Sequence, residues 1–248
     1  MRFLKSVLSV SLLSLGLCTS VVVALQGSLV NAQSDFPEFV FARPQRSPDS
    51  EVPENRGKGA SRPAASHCPK LDVFALRRTV ENEAASGDAV ETGGLTISES
   101  PVIWFAVDSL IAEATLELVV ETAEGTVIDE HQKVLPAGDS VFSIPLTEGS
   151  LADKDVFYYF EASMAADCVQ LSGDAPIAMS LASSGWIKRL PPEDFGAVER
   201  SLSAARAYAQ SGIWFDAFDI VATLYRENPD EPEVKNAWDV MMKAAEAE

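Results

Sequence analysis

SLSAARAYAQSGIWFDAFDIVATLYRENPDEP, residues 201–232, decides the class of the fold. Phe195, Val198, Leu202, Ala205 and Ala209 recur at steps of three and four, which stacks them on one helical face. Gly212 follows, and glycine after a periodic run ends a helix because it takes the left-handed conformation cheaply. Trp214, Ala217, Phe218, Val221 and Tyr225 make a second stripe, closed by Asn228 and Pro229. A third helix is expected next. Asp230 is its cap, Glu233 sits in the capping-box position, and Pro232 suits the first turn. Its stripe is Val234, Ala237, Trp238, Met241, Met242 and Ala245. Trp214, Phe215 and Trp238 are the candidate interaction residues.

Upstream the period changes from helical to alternating. Leu71–Arg78 is a short strand candidate, and Leu95–Val107 a β-branched and aromatic one that Pro101 breaks. Ala114–Thr122 alternates Leu116, Leu118 and Val120 with Glu117 and Glu121. Glu124-Gly125 turns, and Thr126–Val134 returns, a hairpin signal. Val141–Leu146, Asp155–Met164 and Ile177–Leu190 complete the set. Gly93-Gly94 reads as an isolated turn pair. Trp104 and the aromatic run before Cys168 are the expected core anchors.

The expected fold is therefore α+β. An antiparallel β-sandwich of immunoglobulin or fibronectin type is followed by a three-helix hairpin and cap. The expected divisions are an export signal at 1–32, a Pro-rich disordered linker at 33–66, the sandwich at 67–191 and the helices at 192–248. On this division the sandwich stays folded when residues 192–248 are removed.

The signal rests on Arg2 and Lys5, the apolar run Val7–Leu25, and small residues at Val30 and Ala32, which place cleavage after Ala32. Two competing readings stay open. Cys18 could carry a lipid, though Leu17 before it is too large. The apolar run also approaches spanning length and could be retained as an anchor. With cleavage the protein is periplasmic or secreted and not inserted in a membrane. In the linker, Phe36, Phe39, Val40 and Phe41 stand out as a short packing segment or a sticky peptide.

The whole chain of 248 residues carries a net charge of −18; removing Arg2 and Lys5 makes it −20. That argues against nucleic acid as a partner, which needs basic surface to displace counterions. Two cysteines remain after cleavage, Cys68 and Cys168, and an oxidising compartment would pair them. The alternative is two free thiols. Closing a loop of that length would add up to ~4.7 kcal/mol in the chain-entropy model.

No catalytic residues, metal ligands or cofactor are expected. Gly-x-Ser-x-Gly and phosphate-loop glycines are missing from the sequence. The histidines are His67 and His131. His67 beside Cys68 suggests a nucleophile pair only if the thiol is free. Asp129, Glu130 and His131 are adjacent on a strand, so they should diverge and form a solvated cluster.

Two resemblances follow from these residues. The run Ala207–Pro229 resembles the middle and end of one tetratricopeptide repeat, through Tyr208, Gly212, Ala217 and Pro229, and departs from it at Ser201. There is no second copy, and a solenoid groove needs about three. The resemblance thus implies a hairpin docked on its own neighbouring domain. Second, His67-Cys68-Pro69, PVIWFAV at 101–107, FYYFEA at 157–162 ahead of Cys168, GWIKRL at 185–190 and SGIWFDA at 211–217 combine. Over about Ser66–Met242 they resemble the domain of unknown function 928 family of secreted or periplasmic cyanobacterial proteins. That implies an architecture and a compartment, without an activity.

The leading functional expectation is a non-enzymatic module that docks an envelope protein through the hairpin or a sandwich edge. A carbohydrate-binding module using exposed rings on one sheet face comes second. A carboxylate hydrolase comes third, since 37 acids offer many pairs.

Overall fold

The computed structural model describes residues 66–80, 89–170, 176–192, 195 and 200–246. The export signal, the linker up to residue 65 and the Phe36–Phe41 cluster lie outside the described residues.

The described strands are β1 (Ser66–His67), β2 (Lys70–Val73), β3 (Leu76–Val80), β4 (Ala89–Thr96) and β5 (Val102–Leu110), then β6 (Ala114–Thr122), β7 (Val127–Leu135), β8 (Gly138–Pro145), β9 (Phe157–Gln170) and β10 (Ile177–Arg189). Alternation made the strongest of them legible. In β6, Leu116, Leu118 and Val120 are buried while Thr115 and Glu117 face water. Gly125, at φ +81°, makes the turn into β7, and its N–H bonds Thr122 O at 3.0 Å. In β9 the inward set is Tyr158, Phe160, Ala162, Met164, Ala166 and Cys168.

The larger sheet runs β3-β4-β10-β9-β6-β7, and β1 extends it by pairing with the far end of β9. The smaller sheet is β2-β5-β8. The expected single strand Leu71–Arg78 is therefore two strands, one in each sheet. The chain changes sheet at Phe74-Ala75, where Phe74 N–H bonds Trp104 O at 2.9 Å. Pairing is antiparallel except between β4 and β10, where Trp186 lies opposite Gly93 in parallel register. That corrects an all-antiparallel expectation. Between β4 and β10 the chain visits both sheets, which is the long crossover a parallel pair requires.

Gly93 and Gly94 are not a turn. They sit mid-strand in β4, between β3 and β10. Their lack of side chains matters for packing. A Cβ on Gly93 would run into the Trp186 ring, and one on Gly94 would lie 3.0 Å from Trp214 Cβ. Glycine inside a strand marks close approach of this kind.

Three helices follow: α1 (Leu202–Gln210), α2 (Trp214–Glu227) and α3 (Pro232–Glu246). Ser201 caps α1, accepting Ala204 N–H at 3.2 Å, so Phe195 lies outside a helix whose stripe seemed to include it. Val198 lies outside the described residues. Gly212, at φ +75°, turns the chain into α2. The cap of α3 is Glu231, whose carbonyl accepts Lys235 N–H at 2.9 Å, rather than Asp230. Glu233 reaches Arg206 at 2.6 Å and ties α3 to α1.

One hydrophobic core passes through sheets and helices alike. Phe74, just beyond β2, stacks on Phe218 with ring centroids 5.1 Å apart and meets Trp238 edge-on at 6.4 Å. Trp104 of β5 lies 6.2 Å from Phe218. Cys68 and Cys168 are joined in a disulfide, Cα atoms 4.3 Å apart, which holds the entrance of the fold to β9.

Candidate functional site

The helical face is spent inside the molecule. Trp214 and Phe215 are each 1 % exposed and pack against β4 at Gly94. Trp238 is half-buried, stacked on Tyr225 at 5.0 Å and set against Phe74 and Phe218. All three candidate interaction residues pack against this chain's own sheet and core. The start of the α2 stripe is the covering of the β4 inner face.

The larger sheet's outer face carries a different aromatic group. Paired residues on neighbouring strands share a face, and the register aligns Leu76, Gly93, Trp186, Tyr159 and Glu121 in one row. The next row pairs Phe157 with Lys188. Trp186 lies down over Gly93, which only glycine allows there. Phe157 meets Trp186 edge-on at 5.6 Å, and Lys188 Nζ stands 5.5 Å from the Phe157 ring centre. Lys188 also reaches Asp155 at 3.5 Å. Tyr159 is 7 % exposed although it points outward. The indole N–H of Trp186 is buried and has no hydrogen-bond partner among the described residues.

The aromatic run before Cys168, expected as core anchors, divides between the two faces of β9. Tyr158 points inward and its hydroxyl bonds Asp153 O at 3.1 Å; the flanking two point outward. Trp186 was missed as their partner. The available signal was Gly93 inside a strand-like run, since a bare backbone there asks what covers it.

Acids cluster on α2. Asp216 accepts Ile97 N–H at 3.2 Å and lies near Thr96 at the end of β4. Burial, the strongest influence, pushes its pKa up to about 6; the Thr96 and Ile97 bonds oppose this, and neighbouring Asp219 adds to it. Asp219 accepts the Trp104 indole N–H at 3.1 Å and lies 3.7 Å from Arg200. Burial raises its pKa against the pull of Trp104, Arg200 and Arg226. The Arg226 guanidinium covers the Trp104 ring at 4.4 Å. Both carboxylates thus hold helix to sheet.

Asp129 and His131 converge, contrary to the expectation that they diverge. They are two apart in β7 and share a face, with His131 Nε2 3.1 Å from Asp129 Oδ2. Asp129 also accepts Thr147 N–H at 2.7 Å and its hydroxyl at 2.8 Å. Burial works to raise its pKa, but Thr147 and His131 outweigh that and hold it below the usual carboxylate value. The group staples β7 to the loop after β8. Among the described residues no three His, Cys, Asp or Glu side chains gather as metal ligands would.

The fold and this face define a class: a two-sheet α+β body, closed by a built-in helical hairpin and one disulfide, with an aromatic seat on its larger sheet. The chain belongs to the Domain of Unknown Function family DUF928, whose model matches residues 57–248. In a comparison with curated proteins, nothing matches.

Proposed function

We propose that this chain is a non-enzymatic, extracytoplasmic interaction module of cyanobacterial type. It takes an extended segment of another envelope protein on the outer face around Phe157, Tyr159 and Trp186. One observation carries the reading: the helical stripe is consumed within the fold, while Trp186 and Phe157 form a half-buried outward aromatic pair. Aromatic anchors of this kind dominate binding energy where they are partly desolvated. The Cys68–Cys168 pair and the apolar N-terminal run support the compartment. The tetratricopeptide likeness at Tyr208, Gly212, Ala217 and Pro229 fits a helical pair used as a cap, and the two sheets fit a modified immunoglobulin-like sandwich.

The test compares the chain from Gln33 with its F157A/W186A variant as baits in an envelope fraction. The expected result is one protein enriched by the first and lost with the second, at unchanged circular dichroism. Equal capture by both baits removes the outer face from the reading.

A carbohydrate ligand is the second reading, favoured by the same Phe157, Trp186 and Lys188 group, since ring faces beside a polar side chain suit a pyranose. Glycan-array binding that disappears in W186A supports it; a flat array removes it.

A further inference from the structure

We propose that the Cys68–Cys168 bridge is a redox clasp: oxidised, it pins β1 to the tip of β9, and reduction by a dithiol releases both while the rest of the fold stays closed. The inference goes beyond the binding reading and does not depend on what the outer face takes. β1 is two residues long, and its ladder consists of Ser66 opposite Gln170 and His67 opposite Val169. β6 leaves β9 at Met164, and β10 leaves it at Cys168. At Val169–Gln170, then, β1 is the one strand paired with β9 among the described residues. Each of these short ends is ordered by the other.

Two ladder pairs do not hold such ends by themselves. The net gain from a backbone hydrogen bond is of the same size as the conformational entropy lost in fixing a residue, so an isolated two-residue ladder frays. The bridge changes that balance. It joins the residue that follows β1 to the residue that precedes the β9 tip, with Cα atoms 4.3 Å apart. Beyond the bridge the chain is anchored independently. Lys70 N–H bonds Asp108 Oδ1 at 2.5 Å, and β2 pairs with β5 from Lys70 onward. β9 lies between β6 and β10 from Tyr158 to Met164. Opening therefore stops at Pro69 on one side and near Cys168 on the other.

The chemistry enters through Cys68, which is half-buried, whereas Cys168 is 1 % exposed. A thiolate of the dithiol attacks Cys68 Sγ. The S–S bond breaks, and its electron pair leaves with Cys168, which takes up a proton. The second thiolate of the dithiol then attacks the dithiol's own sulfur in the mixed disulfide and expels Cys68, which is protonated in turn. The cysteine pair gains two electrons and two protons, and the dithiol ends as a disulfide. Met179 Sδ lies 3.7 Å from Cys68 Sγ, so the new Cys68 S–H finds an acceptor already in place.

The test follows amide hydrogen exchange by nuclear magnetic resonance in the full chain from Gln33, with and without dithiothreitol in native buffer. Mass spectrometry reports the gain of two hydrogens. On reduction, the slowly exchanging amides among Ser66, His67, Val169 and Gln170 should exchange at least about tenfold faster. Leu118 and Ala162, paired between β6 and β9, should keep their rates, as should the Trp214 indole, bonded to Phe74 O at 2.9 Å. Reoxidation should restore the slow rates, and C68S/C168S should show the reduced pattern without reductant. Unchanged exchange at β1 and the β9 tip after reduction overturns the proposal, because the backbone alone then holds them. A rise shared by Leu118 and Ala162 overturns it too, since reduction then unfolds the whole chain. So does a bridge that dithiothreitol reduces only in denaturant.

Discussion

The Trp214 indole N–H donates to Phe74 O at 2.9 Å, across 140 residues of sequence, in a buried setting. The first turn of α2 is thereby fixed to the loop where the chain changes sheet. Trp214→Phe keeps most of the packing but leaves the Phe74 carbonyl buried without a donor. It should lower unfolding stability by about 1–3 kcal/mol, read from urea denaturation.

The same contact argues that the helices are not a detachable domain. A chain ending at Pro191 exposes Phe74, Trp104 and the Gly94 face of β4 together. It should lose its cooperative urea transition and its near-ultraviolet dichroism. A truncated chain with an unchanged midpoint would show that the two parts fold separately after all.

Gly93→Ala places a methyl group against the Trp186 ring and the neighbouring backbone. Overpacking should cost about 1–3 kcal/mol. Gly94→Ala, whose methyl meets Trp214 Cβ at 3.0 Å, should cost less. Removing the ring in G93A/W186A should recover part of the G93A loss, and no recovery would mean that Trp186 does not lie over β4.

Stability should rise on mild acidification. Asp216 holds its proton up to pH about 6 in the fold, against about 3.9 when unfolded. Between those values the folded chain binds more protons, so stability falls as pH rises through the window, on the order of 2–3 kcal/mol in all. Asp219 is shifted in the same direction. Melting temperature should thus be higher at pH 4.5 than at pH 7. Asp216→Asn should flatten that slope, because its amide oxygen still accepts the Ile97 N–H. A slope unchanged in D216N would count against Asp216 as its source.

C68A/C168A should lower stability by about 2–5 kcal/mol. Wild-type protein in reductant should approach the variant in urea melts. A reductant-insensitive wild type alongside a normal C68A/C168A variant would show that the pair does not constrain the unfolded chain.

Alternation and breakers carried most of the strand and helix positions. Leu116, Leu118 and Val120 declare a one-sided strand, Pro101 separates β4 from β5, and Gly212 divides α1 from α2. Local pattern does not say which strand lies beside which, so the parallel β4–β10 pair and the sheet change at Phe74 were invisible. The candidate site was half-legible. Phe157 and Tyr159 were in view, but their direction depends on register, and a slip of one residue would reverse it. Asp129 looked like surface charge because its partner, Thr147, lies on a loop that no periodicity predicts. The α2 stripe was legible as a face that needs covering and the neighbouring domain as its cover, but an amphipathic helix does not say that the strand it meets is β4.

The parallel pairing of β4 with β10 also sets an order of events. Synthesis runs from the N-terminus, so β4 emerges with β3 as its only possible neighbour. Gly93 waits about ninety residues for Trp186, and Gly94 waits longer still for Trp214. Contacts of such sequence separation are slow to close, and unpaired strand edges invite aggregation meanwhile. Nucleation can begin in the local β6–β7 hairpin, but native closure needs nearly the whole polypeptide. The last fifth of the chain acts as the latch, so a ribosome that stops short of α2 releases a product for proteases rather than a smaller working protein.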